Sequence, residues 1–330
     1  MQMRTKVLST GYYLPDRILS NQDLEKMVDT SNEWIIERTG IRERRIVEPE
    51  GKCSDLAFEA ARRALENAKL DPMQIDLIIV ATCTPDTLFP STACIVQARL
   101  GAKNAAAFDM EAGCTGFIYA LSIAEKFLLS PEFRYVLIIG AEVLSKITDY
   151  TDRNTCVIFG DGAGAMVLDK SEGHCGIINT NIAADGTGAG LLYMPAGGSA
   201  LPASIETIEK RLHYLKMNGR EVFKFATKIM VETSEKLLHQ AGLDIEQVDF
   251  FVPHQANMRI IQTAMKRMKI PKEKAILNLE HFGNMSAASI PVAIAQADEK
   301  QLLKSGAIIL TVGFGTGLTF GGALIRWGRD

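Results

Sequence analysis

Short apolar runs alternate with amphipathic segments along the chain, and this alternation indicates the fold. In residues 64–80 a helical pattern ends, a polar turn follows, and an apolar run begins at residue 77. Residues 237–252 repeat this arrangement in the second half of the chain. Short apolar strands flanked by helices are typical of a parallel-type sheet covered on both faces. The pattern therefore predicts an α/β protein.

The two segments belong to an internal repeat. Both carry the frame Leu-Asp-x-x-Gln-(Ile/Val)-Asp, at residues 70–76 and 243–249. Further matches follow in the same order: Ile95-Val-Gln with Ile260-Ile-Gln, Gly113-Cys114 with Gly283-Asn284, the runs 135–140 and 307–312, Phe159-Gly-Asp-Gly with Phe314-Gly-Thr-Gly, and the runs 165–168 and 322–325. An ordered series of matches indicates duplication. Two such halves about a pseudo-twofold axis would bring equivalent loops together, with Cys114 facing Asn284.

The repeat divides the chain into three parts. Residues 1–170 form a first half that carries Cys114, and residues 221–330 form a second half. The glycine-rich residues 171–220 are expected to connect the halves and to line a pocket. A chain of 330 residues that is 47% hydrophobic is large enough for two halves with a shared core.

Composition and charge exclude several classes of protein. No apolar stretch of about 18 residues is free of charge, so no transmembrane helix is expected, and the N-terminus shows no signal-peptide core. The net charge of −3 argues against general nucleic-acid binding. The six cysteines form no C-x-x-C pair and no metal-ligand spacing with the histidines, which predicts neither a disulfide framework nor a metal site. These features predict a cytoplasmic protein that binds neither membrane nor nucleic acid.

Cys114 is the strongest candidate for a reactive group. It lies between Gly113 and Gly116, after one apolar run and before a helical pattern that extends to about residue 129. The glycines permit a tight strand-to-helix turn, and a helix N-terminus favours the thiolate form of a cysteine. Since the thiolate is the nucleophile, this setting predicts covalent catalysis.

Two polar residues of the second half are expected near Cys114. His254 follows an apolar run, at the carboxyl end of a predicted strand, where ligands bind in α/β sheets. Asn284 lies in a Gly-Asn pair that is also a common turn, but the repeat places it beside the cysteine. His281 is close to Asn284 in sequence and is the alternative to His254.

Glycine-rich loops at residues 160–164 and 313–318 raise the question of dinucleotide binding. Their spacing is G-x-G-x-G, and a strand pattern follows each loop instead of a helix. A loop that offers backbone N–H groups to an oxyanion is the better interpretation.

Together these motifs resemble those of the thiolase-fold condensing enzymes, and among them the β-ketoacyl-acyl-carrier-protein synthase III family, which starts bacterial fatty acid synthesis. The resemblance spans essentially the whole chain, from the segment 31–42 to the closing glycine-rich loop. It implies a thiolase-like fold with internally duplicated βα halves in a layered α-β-α-β-α arrangement. It also implies a homodimer that has no cofactor and uses the coenzyme A thioester as a substrate.

The resemblance implies a role for each polar residue. Cys114 would attack a short acyl-CoA such as acetyl-CoA and hold the acyl group. His254 and Asn284 would donate hydrogen bonds to the thioester carbonyl of malonyl-acyl carrier protein, whose decarboxylation forms an enolate. The backbone N–H groups of Cys114 and Thr316 would form a second oxyanion hole at the acyl carbonyl.

The resemblance also implies binding residues. Phe89 would reach across the dimer to floor the partner's acyl pocket. The acyl carrier protein is acidic, so a basic face beside His254 would dock it. The residues expected to bind coenzyme A are Trp34, Arg38, Thr39, Arg153, Gly219 and Asn257. The residues expected to dock the carrier protein are Lys224, Arg259, Lys266 and Arg267.

Two departures from the family pattern and several alternatives remain open. Met285 replaces a small polar residue and is expected to affect the pocket wall or the contacts of Asn284. Thr316 replaces the usual glycine or alanine. One alternative is a related condensing enzyme that starts a polyketide or uses an unusual primer. Others are a thiolase, a hydroxymethylglutaryl-CoA synthase with Glu111 as base, a non-catalytic acyl-binding subunit, and a cysteine hydrolase whose histidine activates the thiol.

Overall fold

A computed structural model describes residues 4–329, so residues 1–3 of the predicted first half and residue 330 of the second lie outside it. The strands are β1 (Arg4–Tyr13), β2 (Ile18–Ser20), β3 (Glu43–Arg45), β4 (Leu77–Ala81), β5 (Ala106–Met110), β6 (Tyr135–Val143), β7 (Asp161–Ser171), β8 (Gly176–Ala184), β9 (Leu192–Tyr193), β10 (Lys216–Met217), β11 (Phe250–Pro253), β12 (Ile308–Gly315) and β13 (Thr319–Arg326). The helices are α1 (Asn21–Glu25), α2 (Asn32–Thr39), α3 (Cys53–Ala68), α4 (Thr92–Leu100), α5 (Gly116–Leu129), α6 (Ile205–Glu209), α7 (Gly219–Ala241), α8 (Met258–Met268), α9 (Leu279–Phe282) and α10 (Ser289–Glu299). Within the described part of the chain, no helix has the length and apolar character needed to cross a membrane.

The two main sheets have the same strand order. The first sheet runs β1-β7-β6-β4-β5, and the second runs β8-β13-β12-β11. Ala275 forms a parallel bridge with Phe251 on β11, at the place that β5 takes beside β4. In both sheets the inner pair is parallel and the following hairpin is antiparallel. The duplication predicted from the sequence is confirmed.

The helices and sheets form five layers. Helices α5 and α10 lie between the two sheets, because α5 contacts β4 and β13 while α10 contacts β7 and β11. Helix α5 is buried along most of its length, as expected for a helix that is apolar on nearly all sides. Helices α3 and α4 cover the outer face of the first sheet, and α7 and α8 cover that of the second. This is the predicted α-β-α-β-α arrangement.

The predicted connecting segment, residues 171–220, is only partly connecting. Its first part contains β8, which pairs antiparallel with β13 and belongs to the second sheet. The prediction was wrong there because the glycine-rich composition begins only near residue 184, after the strand. Residues 185–218 form the irregular part, with only the 3₁₀ helix Gly186–Leu191 and the short elements β9, α6 and β10.

A separate excursion, residues 18–45, carries α2 beside the active-site loops. Arg44 is fully buried there and fixes the excursion to the body of the protein. Its guanidinium donates to the Asn21 side chain at 2.9 Å and to the carbonyl oxygens of Leu19 and Val157 at 3.1 and 2.7 Å. Burial lowers the pKa of Arg44 to about 10, so it stays charged at neutral pH and these acceptors compensate its desolvation.

Candidate active site

The loops of the two halves meet around a cavity of about 120 Å³. Cys114, His254 and Asn284 all line it, so the fold brings the three predicted residues together. Each is buried, with 7, 1 and 6% of its surface exposed, respectively. The rest of the wall is mainly apolar, with Phe159 and Phe314 among its members. A largely apolar cavity with a few convergent polar groups is the usual form of a catalytic pocket.

The turn that carries Cys114 is pressed against the closing loop of the second half. Cys114 lies in the 3₁₀ turn Gly113–Thr115, directly before α5. Gly113 has φ +54°, and a Cβ on it would lie 2.6 Å from the backbone N of Thr316. A Cβ on Gly315 would lie 2.5 Å from the backbone N of Cys114. The backbone amides of Cys114 and Thr316 therefore lie close together, although Thr316 itself does not line the cavity.

Burial, and not the helix N-terminus, dominates the ionisation of Cys114. Burial above all, and then the carboxyl groups of Glu142 and Glu111, raise the pKa of its thiol to about 12. The Ser286 hydroxyl acts in the opposite direction. A backbone hydrogen bond at the turn also lowers the thiol pKa, in the direction expected at a helix N-terminus, but the cost of burying a charge outweighs it and the resting thiol is neutral. The thiol therefore needs a group that takes its proton.

His254 is held as a neutral hydrogen-bond donor. It directly follows β11, and its backbone N donates to the carbonyl oxygen of Val312 at 2.8 Å. Its ring packs edge-on against Phe314, with 5.5 Å between ring centroids. Burial lowers the pKa of His254 to about 3, and neither ring nitrogen makes a hydrogen bond to a described residue. A neutral imidazole carries one N–H, which is available for a ligand in the cavity.

Asn284 is oriented by its own turn. Its Oδ1 accepts a hydrogen bond from the backbone N of Ser286 at 2.8 Å, so its Nδ2 is the group left to donate. Its backbone bridges to the loop at Phe159 through Asn284 N to Ile158 O at 2.9 Å and Gly160 N to Asn284 O at 3.0 Å. The cavity thus receives two neutral donors, from His254 and from Asn284.

The repeat equivalence of Cys114 and Asn284 was wrong by three residues. The 3₁₀ turn Gly113–Thr115 corresponds to Ser286–Ala288, because each directly precedes a central helix, α5 or α10. Gly113 and Ser286 share positive φ angles of 54° and 44°. Cys114 therefore matches Ala287. Asn284 matches Glu111, whose Oε1 accepts from the Gly113 N–H as Asn284 accepts from Ser286.

In the predicted nucleotide site, two guanidinium groups lie close to the Trp34 ring of α2. The Arg153 guanidinium lies 4.7 Å from the centroid of the Trp34 ring, and the Arg38 guanidinium lies 5.7 Å from it. Thr39 is 4% exposed, and its hydroxyl bonds Ile35 O and Ile41 N at 2.7 and 3.0 Å. The Thr39 side chain thus holds the end of α2, and its contact with the nucleotide stays a prediction.

The predicted pantetheine residues lie at the cavity. Gly219, the first residue of α7, and Asn257, the N-cap of α8, both line it. The Asn257 side chain also donates to the Arg38 carbonyl oxygen at 2.9 Å. This hydrogen bond joins the cavity wall to the helix that carries Trp34.

The four predicted docking residues, here called the basic face, lie on the paired helices α7 and α8. All are exposed, and the Arg259 guanidinium lies 6.0 Å from the ring centroid of Phe223, which lines the cavity. Arg267 donates to the carbonyl oxygen of Thr227 on α7 at 2.9 Å. The basic face, formed by Lys224, Arg259, Lys266 and Arg267, therefore borders the cavity.

Three residues singled out from the sequence lie outside the cavity. Met285 is fully buried in a cluster with Ala288 and Val292 and does not line the pocket wall, so of its two expected effects the one on the contacts of Asn284 stays a prediction. His281 is largely exposed and lies 3.5 Å from a carboxylate oxygen of Glu43, which leaves His254 as the histidine of the site. Phe89 is 84% exposed.

Glu142 was missed by the sequence analysis. It lies on β6, is fully buried, and has its pKa raised to about 7 by that burial. The charge of its carboxyl raises the pKa of the Cys114 thiol, and the Ser286 hydroxyl lowers the pKa of the Glu142 carboxyl. The signal was present, since a carboxylate inside the apolar run that ends at Leu144 is unusual without a specific role.

Comparisons with known proteins agree with this geometry. Residues 238–327 match the family model described as 3-oxoacyl-[acyl-carrier-protein (ACP)] synthase III C terminal, and residues 108–186 match the model described as 3-oxoacyl-[acyl-carrier-protein (ACP)] synthase III. The chain is 63% identical over 328 residues to the beta-ketoacyl-[acyl-carrier-protein] synthase III of Syntrophomonas wolfei, with 99% of each chain covered.

Solved structures give the same result. The synthase III of Aquifex aeolicus superposes with a TM-score of 0.91 at 47% identity, covering 98% of this chain and 100% of that one. A priming β-ketosynthase of the R1128 polyketide pathway superposes with a TM-score of 0.90 at 36% identity, covering 99 and 97%. The chain belongs to the β-ketoacyl-acyl-carrier-protein synthase III family.

Proposed function

We propose that this chain catalyses the decarboxylative Claisen condensation of a short acyl-CoA primer, such as acetyl-CoA, with malonyl-acyl carrier protein, and so starts fatty acid synthesis. The observation that carries the proposal is the joint placement of a buried thiol and two neutral donors in one cavity. The priming of a polyketide is less well supported, because identity to the synthase III relative is 63% and to the priming ketosynthase 36%.

The geometry divides the reaction into two steps. Cys114 attacks the acyl-CoA carbonyl, and the backbone N–H groups of Cys114 and Thr316 stabilise the oxyanion. After the CoA leaves, the malonyl thioester enters the same cavity. Its carbonyl oxygen accepts hydrogen bonds from His254 and from Nδ2 of Asn284, and loss of carbon dioxide then forms the enolate. The enolate attacks the acyl group on Cys114, so the second step needs no strong base.

The two substrates use different surfaces in this proposal. The adenine of coenzyme A stacks on the Trp34 ring, where it displaces the Arg153 guanidinium to its other face, and Arg38 adds a positive charge beside it. The coenzyme A thioester is a substrate, and the proposed reaction uses no resident cofactor. The basic face attracts the acidic acyl carrier protein and aims its phosphopantetheine arm at the bordering cavity.

A homodimer is part of the proposal. Strand β5 is at the end of its sheet, and its outer edge carries backbone groups that a second copy of β5 could pair. Leu88 and Phe89, between β4 and α4, are 82 and 84% exposed, which favours a partner that covers them. Phe89 would then floor the partner's acyl pocket. Sedimentation equilibrium tests this, and a monomer at micromolar concentration contradicts it.

A cytoplasmic location also belongs to the proposal. Among the described residues Cys53, Cys83, Cys94, Cys114 and Cys156 form no disulfide, as is usual in a reducing compartment. Both proposed thioester substrates are consistent with that compartment. Fractionation of cells that express a tagged chain tests the location.

Intact-mass measurement tests the proposed function. The chain is incubated with a panel of acyl-CoA thioesters and then with malonyl-acyl carrier protein. We expect one acyl adduct that is lost in Cys114→Ala and kept in Cys94→Ala, a control at an exposed cysteine on α4. Addition of malonyl-acyl carrier protein should discharge the adduct into a β-ketoacyl product. Release of free carboxylic acid in its place would identify a hydrolase.

A further inference from the structure

Two threonine hydroxyls join the two turns that carry the proposed acyl oxyanion hole. In the proposed reaction that hole consists of the backbone N–H groups of Cys114, in the first half, and of Thr316, in the second. Thr115 directly follows the cysteine, and Thr319 begins β13 after the turn Thr316–Leu318. Neither Thr115 nor Thr319 lines the cavity, and the condensation described above gives their side chains no part.

The hydrogen bonds of the two turns meet at the Thr319 hydroxyl. It lies 2.8 Å from the carbonyl oxygen of Ala112 and 2.9 Å from that of Thr316. It also lies 2.7 Å from the hydroxyl of Thr115, which is itself 2.6 Å from the Ala112 carbonyl oxygen. Thr319 is separated from Ala112 by 207 positions and from Thr115 by 204. The cluster therefore connects a loop of the first half to a loop of the second.

Each turn is closed by its own backbone hydrogen bond, and the hydroxyls add the connection between the turns. The Thr115 N–H donates to the Ala112 carbonyl oxygen at 3.2 Å, and the Thr319 N–H donates to the Thr316 carbonyl oxygen. A hydroxyl can donate and accept at the same time, so Thr319 can accept from Thr115 while it donates to a carbonyl oxygen. Removal of the Thr319 hydroxyl would therefore leave both turns formed but no longer joined at this point.

The two turns are packed so closely that a small shift would change the oxyanion hole. A Cβ on Gly113 would lie 2.6 Å from the backbone N of Thr316, and a Cβ on Gly315 would lie 2.5 Å from the backbone N of Cys114. These glycine contacts limit how closely the turns approach, whereas directional hydrogen bonds set how they are oriented. A catalytic group has to be held within about 0.5 Å of its productive position.

We propose that Thr319 is a positioning residue for acylation, whose hydroxyl, together with that of Thr115, keeps the N–H groups of Cys114 and Thr316 aimed at one oxyanion. The inference deepens the proposed function and rests on it. During acylation the Cys114 sulfur bonds to the acyl carbonyl carbon, and the carbonyl oxygen holds the negative charge until the CoA thiolate leaves. Two amides stabilise that charge fully only when both point to the same oxygen.

The substitution Thr319→Val replaces the hydroxyl by a methyl group of similar size. A carbon–oxygen contact needs about 3.3 Å, whereas the Thr319 hydroxyl lies 2.8 Å from the Ala112 carbonyl oxygen. The turn before Cys114 must then move by about 0.5 Å, which reaches the tolerance of such a site. We expect the maximal rate of acylation to fall by about tenfold, less than the loss of about 10² to 10³-fold that follows removal of a whole oxyanion donor.

Single-turnover acylation, followed by intact mass over a range of acetyl-CoA concentrations, separates this effect from binding. In Thr319→Val the rate at saturation should fall, while the concentration that gives half of that rate stays unchanged. Thr319→Ser keeps the hydroxyl and should restore most of the parental rate. The matched control is Thr10→Val, since the Thr10 hydroxyl also joins distant parts of the chain, donating to Asp298 at 2.8 Å, but lies outside the cavity. It should be acylated at the parental rate.

The infrared spectrum of the acyl-enzyme provides a second measurement. Each chain is acylated with an acetyl group that carries an isotopic label at its carbonyl carbon. Hydrogen bonds from the two amides polarise this carbonyl and lower its stretching frequency. We expect a higher frequency in Thr319→Val than in the parent chain, Thr319→Ser and Thr10→Val. A side chain that only stabilised the fold would leave the frequency unchanged.

The outcomes separate the inference from the proposed function. The inference requires both the slower rate and the higher frequency, so a parental value of either, or a change in half-saturation alone, shows it to be wrong while the condensation stands. If Thr319→Val does not fold, Thr319→Ala decides by the same two measurements, because it removes the hydroxyl without placing a methyl group against the Ala112 carbonyl. If the parent chain takes no acyl group from any acyl-CoA, the proposed function itself fails.

Discussion

The first and second halves of the molecule share one strand order and one helix pattern, yet they carry different parts of the chemistry. At the turn before the central helix, the first half has Cys114 and the second has Ala287. Directly after β11 the second half has His254, and the corresponding residue of the first half is Ala81, at the end of β4. At these two positions one half carries a functional side chain and the other carries only a methyl group. A duplicated scaffold thus provides two adjoining loops that can diverge without disturbing either sheet.

Burial shifts the pKa values of the active-site groups in opposite directions in the two halves. It raises the pKa values of Cys114 and Glu142, because their charged forms are anions. It lowers the pKa of His254, because its charged form is a cation. All three groups are therefore driven towards neutrality. The second half can then donate hydrogen bonds without acting as a base.

The largest expected effect is the loss of condensation when a hydrogen-bond donor of the second half is removed. We expect His254→Ala and Asn284→Ala each to lower the rate of condensation by about 10² to 10³-fold, the usual loss for one oxyanion donor. Acylation of Cys114 should persist in both, as measured by intact mass. Loss of acylation together with condensation would show that the halves do not divide the reaction in this way.

A smaller effect should follow charge reversal on the basic face of the second half. The double variant Lys266→Glu, Arg267→Glu should raise the KM for malonyl-acyl carrier protein by about tenfold, as expected when about 1.4 kcal/mol of attraction is lost. The KM for acyl-CoA should not change. Lys300→Glu, on the exposed end of α10, is the matched control. An equal rise in the KM values for both substrates would contradict the assignment of the basic face to carrier-protein docking.

A variant in the first half should affect the other substrate, acyl-CoA. We expect Trp34→Ala to raise the KM for acyl-CoA about fivefold, since a cation–π stack is worth about 1 kcal/mol. Steady-state kinetics with malonyl-acyl carrier protein as the varied substrate should give an unchanged KM. A rise in both constants would mean that the excursion supports the whole cavity and not the nucleotide alone.

The smallest effect concerns stability against pH. The folded pKa of His254 is depressed from 6.5 to about 3, so its contribution is complete above pH 6.5 and is lost as the pH falls. The folded pKa of Glu142 is raised from 4.5 to about 7, so its contribution is present below pH 4.5 and is lost as the pH rises. Between these limits the two slopes oppose each other, at about 1 kcal/mol per pH unit each.

Substitution of either residue should reveal how the other one alone makes the free energy of unfolding depend on pH. Urea unfolding at about pH 5 and about pH 6.5 should show Glu142→Gln becoming more stable with rising pH and His254→Asn becoming less stable. The parent chain should change little. Parallel curves for the three chains would show that the two groups do not oppose each other.

Much of the fold and site could be predicted because local patterns repeat. The Leu-Asp-x-x-Gln frame marks the same turn before β4 and β11, and the apolar runs match the strands that were found. The segment that contains β8 was assigned wrongly, since pairing with β13 is a contact between distant residues. An effect of Met285 on the pocket wall was also expected, but this side chain packs with Ala288 and Val292 outside the cavity.

The sequence by itself determined the duplicated α/β fold, the family, and the identity of Cys114, His254 and Asn284, because these depend on residue order and local spacing. Only the tertiary structure decided which loop positions are equivalent, that the Glu142 carboxyl is buried, and that the thiol is held neutral. Those properties depend on how deeply a group is buried and on what the other half packs against it. Burial and long-range contact fix the free energy of a charge, and neither has a local signature in the chain.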